Sequence, residues 1–199
     1  MTKTVGIFVF DEIEVLDLAG PFEVFSVANR VAECAGKEIP FDVITISSGA
    51  EQITARGNFQ FVPSHNFANA SSIDIMLVPG GVIDEECKNP DVVNWIAKTN
   101  ETTELTASVC TGAFLLAEAG LLNGLTATTH WEDIDDLEKR FPDLTVMRNQ
   151  PWVNEGKIVT SGGISAGIKM SLHLVQLLVD KDTAVAVAKQ MEFDWWPSS

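Results

Sequence analysis

The sequence predicts an α/β protein with a mostly parallel central sheet, helices covering both faces, and antiparallel hairpin additions. Short runs of β-branched and other apolar residues alternate with longer segments of helical period, and this alternation is typical of a parallel sheet. The strand-like runs are rich in apolar residues, as expected for strands buried on both faces. No internal repeat and no linker rich in Pro or Ser divides the chain, so we expect a single domain over residues 1–199.

The elements are predicted in chain order from local patterns. Apolar strands are expected at 5–10, 41–46, 73–78 and 105–109. Helices are expected at 21–35, 111–122 and 167–179, the first with Pro21 in its first turn and Gly36 as its stop. Turn residues within 51–62 and 152–160 predict two hairpins that extend the main sheet. The acidic residues of 132–138, followed by Lys139 and Arg140, predict a helix whose charges complement its dipole.

The charge balance excludes several kinds of partner. Thirteen Lys and Arg against 28 Asp and Glu give a net charge of −15, which repels phosphate backbones and anionic lipids. We therefore expect neither nucleic acid nor membrane as a partner, and a small neutral organic substrate is the better fit. The N-terminal apolar stretch is too short and too soon acidic for a signal peptide, and no run of 18 apolar residues occurs. A cytoplasmic protein is expected.

The chain has few residues suited to metals or disulfides. Its cysteines and histidines are Cys34, Cys87, Cys110, His65, His130 and His173. Three cysteines without a C-x-x-C pair indicate free thiols in a reducing compartment, and the scattered histidines do not predict a metal site. Cys34 lies on an apolar helix and is expected in the core. Cys87 lies in a polar segment and is expected to be a surface or loop thiol.

Cys110 is the candidate nucleophile. It directly follows the strand 105–109 and precedes Thr111 and a predicted helix, an order typical of a nucleophile on a sharp turn at the carboxyl end of a sheet. The amides and dipole at a helix N-terminus stabilise a thiolate, so we expect a thiol pKa lowered from about 8.5 to roughly 3.5 to 7.5. The alternative is a buried structural cysteine, the commoner fate of a free thiol.

Gly80 and Gly81 follow the strand 73–78 and are expected beside this nucleophile, because the carboxyl ends of parallel strands meet at one edge. A glycine amide there could stabilise developing negative charge, although an ordinary strand-ending turn explains the same residues. Asp17 lies after the first strand and just before a helix. It is either a capping carboxylate or a proton carrier for the thiol. Glu12 and Glu14 lie in the same segment, and the sequence does not rank the three.

His130 follows another strand-like segment and could reach the same crevice, although an ordinary loop histidine explains the same residue. The Gly- and Ser-rich turn at 161–167 lacks the spacing of a nucleotide-binding loop. We interpret this turn as a tight entry that lets the following helix pack against the sheet and line the pocket.

Taken together, these segments resemble the ThiJ/PfpI superfamily, whose fold is the flavodoxin-like, class I glutamine amidotransferase-like sandwich. The matching motifs are D-L-A-G-P-F-E-V-F from Asp17, V-P-G-G from Val78, S-V-C-T-G-A around Cys110, A-T-T-H-W ending at Trp131, and T-S-G-G from Thr160. Their order and spacing cover nearly the whole chain. They look most like the branch that contains isonitrile hydratases and the amidase-like domains of certain AraC-type regulators. Because the sequence ends at Ser199, we expect no helix-turn-helix portion.

The resemblance implies roles for individual residues. Cys110 matches the family's nucleophile and Asp17 the acid/base carboxylate of the hydratase branch. The residues implied for oxyanion and substrate binding are Gly80, Gly81, Thr111 and His130. The implied reaction hydrates an isonitrile to an N-substituted formamide through a covalent thioimidate, without a metal or organic cofactor. The resemblance also implies a homodimer.

Other functions use the same residues. A redox or electrophile sensor, or a ligand-binding protein without turnover, would also carry a reactive thiol. A glyoxalase or amidase would direct the thiol at another electrophile, but glyoxalase-like members of the superfamily generally carry Glu at the position of Asp17. Lys169 departs from the Asp expected in many hydratase-branch members, and this charge reversal bears on pocket shape, helix mobility or dimer contacts rather than on the nucleophile.

Overall fold

The computed structural model of the protein describes residues 1–70 and 72–196. The strands are β1 Lys3–Phe8, β2 Phe41–Ser47, β3 Ile53–Ala55, β4 Phe59–Phe61, β5 His65–Asn66, β6 Ile75–Val78, β7 Leu105–Val109, β8 Thr126–Ala127, β9 Thr145–Val146, β10 Trp152–Glu155 and β11 Ile158–Ser161. The helices are α1 Val15–Cys34, α2 Asp84–Lys88, α3 Pro90–Thr102, α4 Gly112–Glu118, α5 Ile134–Arg140, α6 Ala166–Leu178 and α7 Lys181–Gln190.

The main sheet confirms the predicted fold class. Within the described residues it has seven strands in the order β10-β11-β7-β6-β1-β2-β5, all parallel to their neighbours except the edge strand β10. The central strands β6 and β7 are buried along their whole length. Apart from the buried Thr106 and Ser108 their residues are apolar, as expected where helices cover both faces of a parallel sheet.

The connections between strands create a crevice at the carboxyl end of the sheet. From β1 the chain passes through α1 to β2, which lies on one side of β1 in the sheet. From β6 it passes through α2 and α3 to β7, which lies in the opposite direction along the sheet. Right-handed crossovers in opposite directions place these helices on opposite faces, and a crevice opens where the direction reverses. Accordingly, α1 packs with α6 and α7, whereas α2, α3 and α4 pack with one another. The crevice lies between the ends of β1 and β6.

The first helix begins earlier than predicted. It starts at Val15, so Pro21 lies in its interior rather than in its first turn, and Asp17 is a first-turn residue of the helix rather than a residue of the preceding loop. Proline has no backbone N–H, so the carbonyl of Asp17 has no i+4 donor. The buried position of Pro21 and the apolar face of the helix offset this loss. Treating proline as a start signal therefore gave the wrong boundary.

Both predicted hairpins form, but only one extends the main sheet. The strands β10 and β11 pair antiparallel at the sheet edge as expected. In contrast, β3 and β4 form a separate two-stranded sheet, which corrects the expectation that this hairpin adds to the main sheet. The helix predicted at 111–122 is also shorter, since α4 ends at Glu118 ahead of the left-handed Gly120. Across residues 1–70 and 72–196, no helix is both long and apolar enough to cross a membrane.

Candidate active site

Cys110 occupies a sharp turn between β7 and α4. Its φ of 56° lies in the left-handed region, which a non-glycine residue adopts at an energetic cost. Its backbone N–H is held by the carbonyls of Ser161 and Gly162, at 3.2 and 3.3 Å, so the end of β11 fixes the turn. The residue is 8% exposed. The strand, turn and helix arrangement expected for a nucleophile is therefore present.

Asp17 lies beside this thiol in the first turn of α1. The residue is fully buried, and its Oδ2 accepts a hydrogen bond of 3.1 Å from the Gly80 N–H. Among the described residues, its Oδ1 has no well-formed hydrogen-bond partner. The Cys110 side chain and the Ile164 backbone face the same carboxylate. A buried carboxylate with one free oxygen beside a thiol is well placed to accept the thiol proton.

Burial raises the pKa of both side chains, although contact with the Cys110 thiol lowers that of Asp17. Burial, opposed by the Gly80 amide, raises the pKa of Asp17 from 3.8 to about 7. Burial and then the negative charge of Asp17 raise the pKa of Cys110 from 9.0 to about 12. The expected lowering of the thiol pKa is thus wrong. The amide and hydroxyl of Thr111 do lower the pKa of Cys110, but burial and the charge of Asp17 raise it by more. Near neutral pH, the protonated thiol faces a carboxylate that can accept its proton.

Gly80, Gly81 and Thr111 tie the two strand ends together. The Gly81 N–H donates to Thr111 Oγ1 at 2.9 Å, and the Thr111 hydroxyl donates to the Gly81 carbonyl at 3.0 Å. A side chain on Gly81, at φ 147°, would begin 2.3 Å from the Glu12 carbonyl, so only glycine fits there. Both glycine amides therefore have protein partners, and Gly81 does not direct its N–H at the thiol as the resemblance implied. The backbone N–H and the side chain of Thr111 lower the pKa of the Cys110 thiol.

His130 follows β8, on a segment that contacts the turn at Cys110. The preceding Thr129 donates its hydroxyl to the Cys110 carbonyl at 2.7 Å, which joins this segment to the nucleophile turn. The His130 Nδ1 lies 3.4 Å from the Asp133 carboxylate, and the imidazole ring packs against Gly163. The turn that contains Gly163 leads into α6, as interpreted from the sequence, and it brings Ile164 to Asp17.

A groove of about 620 Å³ adjoins the site. Gly81 and Thr111 line the end next to the nucleophile turn, and Val82 and Phe114 continue the wall. The opposite wall belongs to α5 and its first residues, including Asp133. The groove is large enough for the substituent of a small organic molecule.

The remaining cysteines correct two expectations. Cys34 is exposed rather than in the core, because it is the last residue of α1. Cys87 is buried rather than at the surface, because its polar segment folds into α2 and turns Ile83 and Cys87 inward. Burial raises the pKa of Cys87 to about 11. Within the residues that the structure describes, no three His, Cys, Asp or Glu side chains cluster as metal ligands would.

Three residues of the site were not identified from the sequence, namely Thr129, Asp133 and Ile164. The Thr129 hydroxyl and the Ile164 backbone act through contacts between distant segments, for which the sequence carries no local signal. Asp133 had one detectable signal, since it follows His130 by three residues in a turn. The sequence pattern was interpreted as acidic residues that complement a helix dipole, so the pairing of Asp133 with His130 was not predicted.

The geometry defines a class of protein: an α/β sandwich with a cysteine on a strained turn at the carboxyl edge of the sheet and a buried carboxylate beside it. A family model described as the DJ-1/PfpI family matches residues 3–177. The chain therefore belongs to the DJ-1/PfpI family.

Named relatives include an enzyme and a regulator. The chain is 31% identical over 195 residues to isonitrile hydratase of Pseudomonas putida, which covers 97% of this chain and 79% of the hydratase. It is 25% identical over 192 residues to the HTH-type transcriptional regulator GbdR of Pseudomonas aeruginosa, covering 96% of this chain and 51% of that protein. The fold is similar to that of a ThiJ/PfpI family protein from Pseudomonas syringae, with a TM-score of 0.85, 22% identity, and coverage of 100% and 78% of the two chains.

Proposed function

We propose that this protein hydrates isonitriles to N-substituted formamides, with Cys110 as nucleophile and Asp17 as acid/base. The observation that carries the proposal is the fully buried Asp17 beside the Cys110 thiol, with one carboxylate oxygen held by Gly80 and the other free. The similarity to isonitrile hydratase over 97% of the chain supports the substrate class.

In the first step the S–H group adds across the terminal isonitrile carbon. Asp17 accepts the thiol proton as the sulfur bonds to carbon, and the same proton then passes to that carbon. The product is a thioimidate in which carbon bears sulfur, hydrogen and a double bond to nitrogen. A raised thiol pKa suits this step, because a thiol and a carboxylate together deliver both the nucleophile and the proton.

In the second step water adds to the thioimidate carbon and the C–S bond breaks. The formamide leaves and Cys110 recovers its proton, so the cycle consumes only isonitrile and water. The N-substituent would lie in the groove beside Gly81 and Thr111. The net charge of −15 favours a neutral substituent over an anionic one.

A sensor is the second candidate, because the chain is 25% identical to the regulator GbdR. Oxidation of a thiol to sulfenic acid proceeds through the thiolate, so a sensor cysteine has a low pKa. Burial and the charge of Asp17 instead raise the pKa of Cys110 to about 12, which favours the enzyme. A glyoxalase or amidase remains an alternative use of the same thiol, and the presence of Asp17 rather than Glu disfavours a glyoxalase.

Incubation with an alkyl or aryl isonitrile tests the proposal by the formamide produced, quantified by chromatography. Cys110→Ala is expected to abolish turnover, and Asp17→Asn to reduce it by about a hundredfold or more, a typical contribution of general acid–base catalysis. Cys34→Ala removes an exposed thiol far from the site and should leave turnover unchanged. Full turnover by Cys110→Ala would refute the proposal. Stoichiometric oxidation of wild type by peroxide, without turnover of any isonitrile, would favour the sensor.

A further inference from the structure

The hairpin of β3 and β4 is separate from the main sheet, yet it is bonded to the segment that leads into α1. The Glu12 N–H donates to the Thr54 carbonyl at 2.9 Å, and the Arg56 N–H donates to the Ile13 carbonyl at 3.1 Å. The Asp11 carboxylate accepts a third bond, of 2.7 Å, from the Thr54 N–H. The hairpin therefore fixes this segment immediately before the helix begins.

The next residue, Glu14, is bonded both to the hairpin and to the site. Its carboxylate lies 3.4 Å from the Arg56 guanidinium. Its backbone N–H donates to the Gly80 carbonyl at 2.9 Å, and its own carbonyl accepts the Asp17 N–H at 3.1 Å. The N–H of the same Gly80 holds the Asp17 carboxylate. Backbone bonds thus fix Glu14 close to Asp17, at the start of the same helix.

Glu14 is the charged neighbour of the Asp17 carboxylate. Burial is the main cause of the raised pKa of Asp17, the Gly80 amide opposes it, and the negative charge of Glu14 adds to it. The other groups that face this carboxylate are the Cys110 side chain, from the turn after β7, and the Ile164 backbone, from the turn before α6. A cation that pairs with Glu14 would therefore offset the repulsion between the two carboxylates.

We propose that Arg56 is a positioning residue for the reaction, which pairs with Glu14 and so keeps Asp17 able to accept the thiol proton. This inference rests on the proposed isonitrile hydration, in which Asp17 takes the proton of Cys110. Without the cation, the unopposed charge of Glu14 favours the protonated form of Asp17, which cannot accept a proton. The Arg56 side chain is 54% exposed, so water weakens the pair. We therefore expect a shift in pH dependence rather than a loss of turnover.

The pH dependence of kcat/KM tests this role. On the acid side kcat/KM falls as Asp17 becomes protonated, so the position of this limb reports the proton affinity of Asp17. Arg56→Gln should move the limb to higher pH, and Glu14→Gln should move it to lower pH, each by about half a unit. Both substitutions keep the backbone bonds of the segment, so opposite shifts distinguish a change of charge from a disturbed fold.

The matched control is Arg30→Gln, because Arg30 pairs with Glu23 at 3.0 Å on the same helix. It removes the same charge from an exposed ion pair and should leave the acid limb in place. If Arg56→Gln and Arg30→Gln give the same profile, or if Arg56→Gln and Glu14→Gln shift the limb in the same direction, the inference is overturned.

A second measurement does not depend on turnover. Carbon-13 NMR of the aspartate carboxylates follows the titration of Asp17 directly, since its signal is the one that Asp17→Asn lacks. The same opposite shifts are expected for Arg56→Gln and Glu14→Gln. If wild type forms no formamide from any isonitrile, the proposed function fails. An Asp17 titration that is unchanged in both variants instead overturns the effect of Arg56.

Discussion

At the scale of single residues, the protonation of the site depends on burial more than on the nearby helix. The sequence places Cys110 correctly before a helix, and from that position a low pKa was expected. The structure adds an enclosed position and the carboxylate of Asp17, and both raise the pKa of the thiol. Neither cause was visible in the local sequence, because Asp17 and Cys110 lie on different strand connections.

The raised pKa of Asp17 makes a prediction for stability. Its pKa rises from 3.8 to about 7 on folding, so between these values the folded protein binds a proton that the unfolded chain releases. Stability should therefore fall as pH rises through this window, by up to about 4 kcal/mol at 1.36 kcal/mol per pKa unit. Asp17→Asn should remove this dependence and be the more stable protein above pH 7.

Urea denaturation of wild type and Asp17→Asn at pH 4.5, 6 and 8 measures the effect. The difference between the two proteins in free energy of unfolding is the relevant quantity, because the contributions of all other titrating groups cancel in it. A difference that stays constant from pH 4.5 to 8 would show that the carboxylate is not destabilised by burial.

At the scale of elements, the patterns of apolar residues predicted the strands of the sheet better than they predicted the boundaries of the helices. The strand predicted at 105–109 matches β7 residue for residue, since its small and apolar side chains are all buried. The start of α1 was missed, because Pro21 is tolerated inside the helix. The hairpin at 51–62 was found from its turn residues. Its separation from the main sheet depends on distant pairing, which a local pattern does not encode.

The contact between α4 and β6 gives a prediction at this scale. Gly112 begins α4, and a Cβ there would lie 2.0 Å from the Val78 carbonyl, a backbone atom that cannot move aside alone. Gly112→Ala should cost about 3 kcal/mol or more and shift the nucleophile turn, reducing turnover. Gly36→Ala is the comparison, because open space surrounds it and only its φ of 67° is unfavourable, at about 1 to 2 kcal/mol. If urea denaturation showed equal losses of stability for Gly112→Ala and Gly36→Ala, the close packing of Gly112 against the Val78 carbonyl would be contradicted.

At the scale of the whole molecule, the order of motifs carried more information than any one motif. Five short segments resembled one superfamily in order, and the family match over residues 3–177 confirms that assignment. The contacts of His130 and the amide partners of Gly80 and Gly81 required the folded chain, because they join segments far apart in sequence. The substrate and the homodimer stay predictions.

An exposed apolar cleft offers a test of the homodimer. Its volume is about 390 Å³, and Phe22, Phe61 and Val62 contribute to its lining. Exposed apolar patches of this kind often mark contacts between proteins, so we expect association through this face. Light scattering should give a mass of about twice 21.6 kDa, and Phe22→Glu should shift it toward one chain. A wild-type mass of one chain at micromolar concentrations would contradict the expectation.

The anchoring of Cys110 to the end of β11 also determines when the turn at Cys110 can form during synthesis. During synthesis the cysteine emerges well before Ser161 and Gly162, whose carbonyls hold its backbone, and before the Ile164 backbone that faces Asp17. A nascent chain that has reached α4 thus has the thiol but lacks the partners that set its turn. The turn can take its folded geometry only after most of the chain has been translated, so a prematurely terminated product would carry Cys110 without the contacts that fix it.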